Sequence, residues 1–228
     1  MGTSDGTSTH HEVRRLAAEA GGEVARGVER WPGAVALLAA AGLLAVLLDR
    51  LAVAPIWLPP GIAAAAVLLV AGLRLTGRHH LVHGLAVSFP ALATVGVAAS
   101  VVEQIRGVDG APMLTQDLVL NAALIWASNV LAFALWFWEL DGGGPAMRRK
   151  DRHTSADVRF PQMDIGPAKP PWYPTFLDYL FFSFNTSTAF SPTDATALSG
   201  RAKLLMMAES TVSLAIILVL LARANAGR

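Results

Sequence analysis

Residues 118–138, LVLNAALIWASNVLAFALWFW, run for twenty-one positions without a charged side chain. A helix of that length spans about 30 Å, the thickness of a bilayer hydrocarbon core. Its apolar residues neither alternate nor keep to one stripe. A helix that is apolar all round is buried all round, by protein or by lipid. Similar blocks fall at about 32–48, 60–75, 81–102 and 198–222. Only 15% of the chain is charged, against 54% hydrophobic, whereas a soluble domain carries about 25% charge. The expected fold class is therefore all-α: a polytopic transmembrane helical bundle of five spans plus a short re-entrant or sixth segment at 175–190. Few segments alternate with aromatics as a membrane barrel would require.

The expected organisation has four parts. Residues 1–30 form an N-terminal cytoplasmic tail, in which Val13, Leu16, Ala17, Ala20, Val24 and Val28 share a helical face that can lie on the membrane surface. Residues 31–138 form a four-span bundle, with Pro90 expected to kink the third span. Residues 139–174 form a hydrophilic loop with Gly142, Gly143 and Gly144, a run of cations and a Pro-rich end. Much of that loop is expected to be mobile. Residues 175–228 form a helix, a turn and a last long helix. A cleaved signal peptide is not expected, because Asp49 and Arg50 separate the apolar block at 35–48 from the small residues Ala52, Val53 and Ala54.

Lys and Arg in the loops orient the bundle. With the N-terminus inside, fourteen cations fall inside and four outside, whether 175–190 dips and returns or crosses. The count places the N-terminus and the 139–174 loop in the cytoplasm and cannot choose between the two forms of the segment. Arginine outnumbers lysine fifteen to three and alanine is abundant, a composition suggesting a GC-rich bacterial genome and hence the inner membrane. The net charge of +1 implies no nucleic-acid partner, and the absence of cysteine excludes disulfides, thiolate metal sites and cysteine nucleophiles.

The run YLFFSFNTSTAFSPTD at 179–194 carries the most unusual chemistry. Asn185, Thr186, Ser187 and Thr188 are four consecutive polar residues in an apolar segment. Against lipid they are costly, so they should face protein or water. With Asp194 and Glu209 they form the candidate polar path. An intramembrane carboxylate such as Glu209 is an ion ligand, proton relay or gate; alternatively it makes an interhelical hydrogen bond or lies near the interface. Ser213, four residues on, continues its stripe.

The parts FLDYLFFSF, NTSTAFSPTD and RAKLLMMAESTVSLAIILVLLARAN resemble the pore helix, filter and inner helix of two-helix potassium channels. The filter departs from that pattern. No glycine lies between Tyr179 and Ser199, and Phe190 and Pro192 occupy the filter position. Backbone carbonyls aimed at an ion need the dihedrals that glycine allows, so potassium selectivity is not expected. The charge count also places the preceding loop inside, where a channel pore helix enters from outside. Asp178, Tyr179, Phe181, Phe182, Ser183, Phe184 and Asp194 also resemble a family of small, uncharacterised bacterial integral membrane proteins. That resemblance implies the layout but no activity.

Other polar groups read as packing. Gly84, Ser88, Gly96 and Ser100 share an i, i+4 ridge, which implies close helix contact within the chain or between copies of a homo-oligomer. Asn121, Ser128 and Asn129 suit interhelical hydrogen bonds or a substrate path. His79 and His83 have zinc-compatible spacing, but no acidic third ligand is near, so no metal and no cofactor is expected. No nucleophile or phosphate motif is present, and no enzyme is expected. Two functions remain: a channel-like or transport protein with a polar, non-potassium-selective constriction, or a non-transporting membrane scaffold.

Overall fold

The computed structural model describes residues 42, 79–106, 115–145, 147–148, 155–165, 172–188 and 195–226. Apart from Gly42, the N-terminal segment and the first two expected spans lie outside the described residues, as do Phe190, Pro192 and Asp194. The described part is mostly helical, with four helices: α1 His79–Arg106, α2 Thr115–Leu140, α3 Phe176–Thr188 and α4 Gly200–Ala226. Two are long and apolar enough to cross a membrane, over Gln116–Gly143 and Gly200–Asn225, with mean hydropathies of 1.9 and 2.3. Five spans are not shown.

Each helix start near the candidate site has a local cause. Pro174 precedes α3, and the Asp178 carboxylate reaches back to accept from Thr175 N at 2.6 Å and Thr175 Oγ1 at 2.7 Å. This is a capping-box arrangement, which satisfies orphan donors of a first turn. In α4, Ser199 Oγ accepts from Ala202 N at 3.1 Å. Helix α1 continues through Pro90. Thr94 Oγ1 donates to Pro90 O at 2.8 Å and accepts from Trp136 Nε1 at 3.0 Å, which ties α1 to α2.

Contacts between helices set their directions. Thr94 meets Trp136, and Val101 packs with Ile125, so α1 and α2 are antiparallel. Ser183 bonds to Glu209 and Ser187 to Ser213, so α3 and α4 are parallel. Trp138, in the last turn of α2, stacks edge-on against Phe176 and Tyr179 in the first turns of α3. Helix α3 thus runs back along α2. The short strands β1 Val158–Arg159 and β2 Thr196–Ala197 pair antiparallel, with Val158 opposite Ala197. Leu198 N donates to Asp157 O at 2.8 Å. Both α3 and α4 therefore begin at the C-terminal end of α2. Thirteen residues of α3 rise about 20 Å, after which the chain comes back to the end where α3 began.

At that end the described parts of the 139–174 segment form a cap. The sequence suggests a mobile loop here; instead, these parts are tied to the helices. Helix α2 stops at Leu140, and Asp141 is followed by Gly142, Gly143 and Gly144 with φ of 57°, 77° and 96°. These are left-handed values that favour glycine. At Gly142 a Cβ would also meet Arg148 Cγ at 2.8 Å. Gly142→Ala should therefore cost about 1–3 kcal/mol, read as a lower midpoint of thermal unfolding in detergent. Gly143→Ala, whose Cβ meets only Met147 at 3.4 Å, should cost less.

An aromatic core joins the cap to the helices. Phe133, Phe137, Trp138, Phe160, Phe176, Tyr179 and Phe182 are all buried together. Phe160, from the cap, packs edge-on against Tyr179 and Phe182 of α3. Offset and edge-on pairs of this kind add about 0.5–1.5 kcal/mol each beyond area burial.

Candidate functional site

Two clusters of buried polar groups each join three or more elements. The first is the cap. Asp141 is 2% exposed. Its Oδ1 accepts from Asp157 N at 2.6 Å and Val158 N at 3.1 Å, and its Oδ2 accepts from the Tyr179 hydroxyl. Asp157 returns the arrangement: its Oδ2 accepts from Gly142 N at 3.2 Å and from Arg201 NH2 at 2.7 Å. Asp141 thus binds the backbone of Asp157 and Val158, Asp157 binds that of Gly142, and together they join α2, β1, α3 and α4.

Arg148 closes the C-terminus of α2. Its NH1 donates to Trp138 O at 2.6 Å and Asp141 O at 2.8 Å. Its guanidinium carbon lies 4.8 Å from the Trp138 ring centre and 5.0 Å from that of Tyr179. A cation among the last carbonyls of a helix complements both the orphan acceptors and the dipole, and the two rings add cation–π attraction. By contrast, the Arg159–Asp164 pair at the surface is more than half exposed. That carboxylate raises the arginine pKa further, and such a pair contributes little to stability.

The second cluster is a polar ladder between α2, α3 and α4. Ser183 and Ser187 lie one turn apart on α3, and Glu209 and Ser213 one turn apart on α4. Because the helices are parallel, the rungs match. Ser183 Oγ bonds to Glu209 Oε1 and to Val130 O, the latter at 2.8 Å. Ser213 Oγ donates to Ser187 Oγ at 3.0 Å. Asn129 of α2 spans both rungs, with Nδ2 3.0 Å from Ser213 Oγ and 3.3 Å from Glu209 O. All five side chains are buried, and Glu209 and Ser183 are 0% exposed. Glu209 Oε2 and Asn129 Oδ1 are buried acceptors without a donor. Glu209 lies nine residues into α4, about 14 Å from its start.

The expected polar path is distributed differently. Of its residues, the structure brings together Ser187 and Glu209, with Asn129 from the expected packing set. Asn185, Thr186 and Thr188 instead donate to carbonyls of their own helix, at Phe181, Phe182 and Phe184, over 2.6, 2.9 and 2.9 Å. Hydroxyl and amide groups commonly back-bond in this way near a helix end. Thr186 also lends its backbone carbonyl to Ser210 Oγ at 3.1 Å. Asp194 lies outside the described residues.

The ridge on α1 is split. Ser100 is fully buried and donates to Gly96 O at 2.8 Å. Ser88 and Leu92 face outward, and Gly84 sits in the helix. The packed face of α1 runs instead through Ala93, Val97, Ser100, Val101 and Gln104. Asn121 is buried in α2, and Ser128 back-bonds to Leu124 O at 2.8 Å. Among the described residues, no group of three or more His, Asp or Glu side chains is placed to hold a metal ion.

Ser183 and the cap residues Asp141, Arg148, Asp157 and Arg201 are absent from the sequence-derived site. A signal for the ladder was present: two apolar helices each carrying a polar pair at i, i+4. The chain matches no protein-family model, no curated protein and no solved structure.

Proposed function

We propose that this chain is a multi-pass protein of the bacterial inner membrane, with its N-terminus in the cytoplasm, and that it is channel-like or transports a solute. The observation that carries the reading is the Ser183–Glu209 and Ser187–Ser213 ladder between two helices that begin at the same end of α2. The exterior supports the lipid setting. Only 17% of the apolar window of α4 is buried, against 61% for α2. Leu204, Met207, Leu214 and Leu218 of α4 and Leu177 and Phe181 of α3 point outward. An apolar face of that extent belongs against lipid or another chain. In this setting α3 is a re-entrant half-helix, a form tolerated at membrane depth where protein or water covers it. The constriction centres on Ser183, Ser187, Glu209, Ser213 and Asn129. No catalysis, metal or cofactor is assigned, and the bilayer is the main partner.

The test is flux through liposomes containing the purified full chain, across a panel of cations and anions. Wild-type protein should pass at least one of them above protein-free vesicles. Glu209→Leu should lower that flux about tenfold, the effect of about 1.4 kcal/mol on a barrier. Folded protein that passes nothing removes the transport reading. The second reading, a non-transporting scaffold, is favoured by the way the ladder side chains bond one another and so join three helices. Crosslinking in membranes that captures neither a homo-oligomer nor another protein would count against it.

A further inference from the structure

The ladder has a hydrogen count that constrains Glu209. A serine hydroxyl has one hydrogen to give and two lone pairs. Ser183 Oγ lies against two acceptors, Val130 O at 2.8 Å and Glu209 Oε1. With an ionised Glu209, the single hydrogen serves one of them and a bare lone pair faces the other. With a protonated Glu209 the chain closes: the carboxyl donates to Ser183, and Ser183 donates to Val130 O. The surroundings already hold two acceptors without donors, Glu209 Oε2 and Asn129 Oδ1. A negative charge there adds acceptor strength and no donor, and burying an unpaired carboxylate is strongly unfavourable.

The facing groups offer no countercharge. From α2 they are Asn129 and the Val130 carbonyl; from α3, Ser183 and Ser187; from α4, Ser213. The titratable groups on these elements lie toward their ends: Lys203 is exposed on α4, Glu139 and Asp117 sit in the last and first turns of α2, Asp178 caps α3, and at the cap Tyr179 bonds Asp141, Arg148 the end of α2, and Arg201 Asp157. Glu209 takes part in none of the ion pairs formed among the described residues. A bound metal cation fits less well than a proton. The Asn129 amide turns its NH2, a donor, toward Ser213 Oγ and the Glu209 carbonyl, and so occupies lone pairs that a cation would need.

We propose that Glu209 is a reversible proton-binding site and that Ser183 reads its state. In the protonated form Ser183 ties α3 to the α2 backbone. When the carboxyl releases its proton to water, the Ser183 hydroxyl turns from Val130 O to Oε1. The bond between α3 and α2 is lost, and an unpaired charge is left between the helices. Proton release thus loosens α3. The inference deepens the transport reading by naming the proton as the species that gates or crosses the constriction.

The experiment is infrared spectroscopy of the full chain in lipid nanodiscs, near neutral pH, in sodium-free and sodium-containing buffer. Wild-type protein should show the carbonyl band of a protonated carboxylic acid, shifted in D2O. The band should vanish in Glu209→Gln and persist in Glu103→Gln, a change at an exposed carboxylate. In Ser183→Ala it should persist at higher frequency, because the acid loses its partner; a merely structural role for Ser183 leaves the frequency unmoved. Absence of the band in wild-type protein, or its survival in Glu209→Gln, overturns the proposal. So does a band that appears only when sodium is removed, which would assign the site to a small cation. The band with no liposome flux defeats the transport reading alone, whereas flux without the band defeats the proton site alone.

Discussion

Asp141→Ala should destabilise the protein by about 3–5 kcal/mol, the range for removing one partner of a buried charged network. Asp141 accepts from two backbone N–H groups and a phenol, all out of water. Alanine leaves those donors without an acceptor, and an unpaired buried donor costs about 1–3 kcal/mol. Arg148 keeps its own bonds, because it donates to the backbone carbonyls of Trp138 and Asp141, which alanine retains. Asp141→Asn keeps the shape and one acceptor oxygen but offers an NH2 group where the structure has an acceptor, so it should cost less than alanine. Tyr179→Phe removes one hydrogen bond and keeps the ring, at about 1–2 kcal/mol. Unfolding of the three variants in mixed micelles should rank them in that order. Equal and small losses would mean that the cap contributes no stability and that the helices hold without it.

The expected consequence is local before it is global. Asp141 joins the end of α2 to β1 and to α3, and Asp157 joins β1 to α4 through Arg201. Loss of Asp141 therefore frees the entry of α3 and, through the β1–β2 pair, the start of α4. Hydrogen exchange should rise first at the amides of Asp157, Val158 and Leu198. The core of α2 with α1, where Val97, Val101 and Ile125 pack with Ile216, should retain protection longer.

The helices were legible because apolar runs report burial directly. The third, fourth and last blocks became α1, α2 and α4 with ends moved by a few residues, and 175–190 became the shorter α3. The cap was not legible. Charged residues in a Gly- and Pro-rich segment resemble a solvated loop, and only long-range pairing separates Asp141 from a surface aspartate. Its partners lie up to 38 residues away. Nor does sequence show whether a hydroxyl bonds its own helix or a neighbour's. Thr186 and Ser187 are adjacent, yet the Thr186 hydroxyl back-bonds to Phe182 O, while Ser187 Oγ accepts from Ser213 on α4. The difference lies in which side of α3 faces α4, and that depends on the parallel register of the two helices.

That register also makes a topological prediction with an all-or-none readout. If the chain spans the bilayer as proposed, Ser155 in the cap and Leu198 before α4 lie on one side, because Leu198 N is bonded to Asp157 O at 2.8 Å. Asn225 lies at the other end of α4, two residues beyond the Arg223 that bonds Gln104 near the end of α1. The chain has no cysteine, so Ser155→Cys, Leu198→Cys and Asn225→Cys can each be offered a membrane-impermeant thiol reagent in intact cells. Asn225→Cys should label from outside, and the other two only after the cells are opened. Labelling of Leu198→Cys from outside while Ser155→Cys stays protected would require 175–190 to cross completely. The β1–β2 pair would then be incompatible with the membrane arrangement, and the ladder could not be reached from the cytoplasmic side. Labelling of Ser155→Cys from outside would reverse the whole orientation and place fourteen cations on the wrong face, against the charge asymmetry that orients helical membrane proteins.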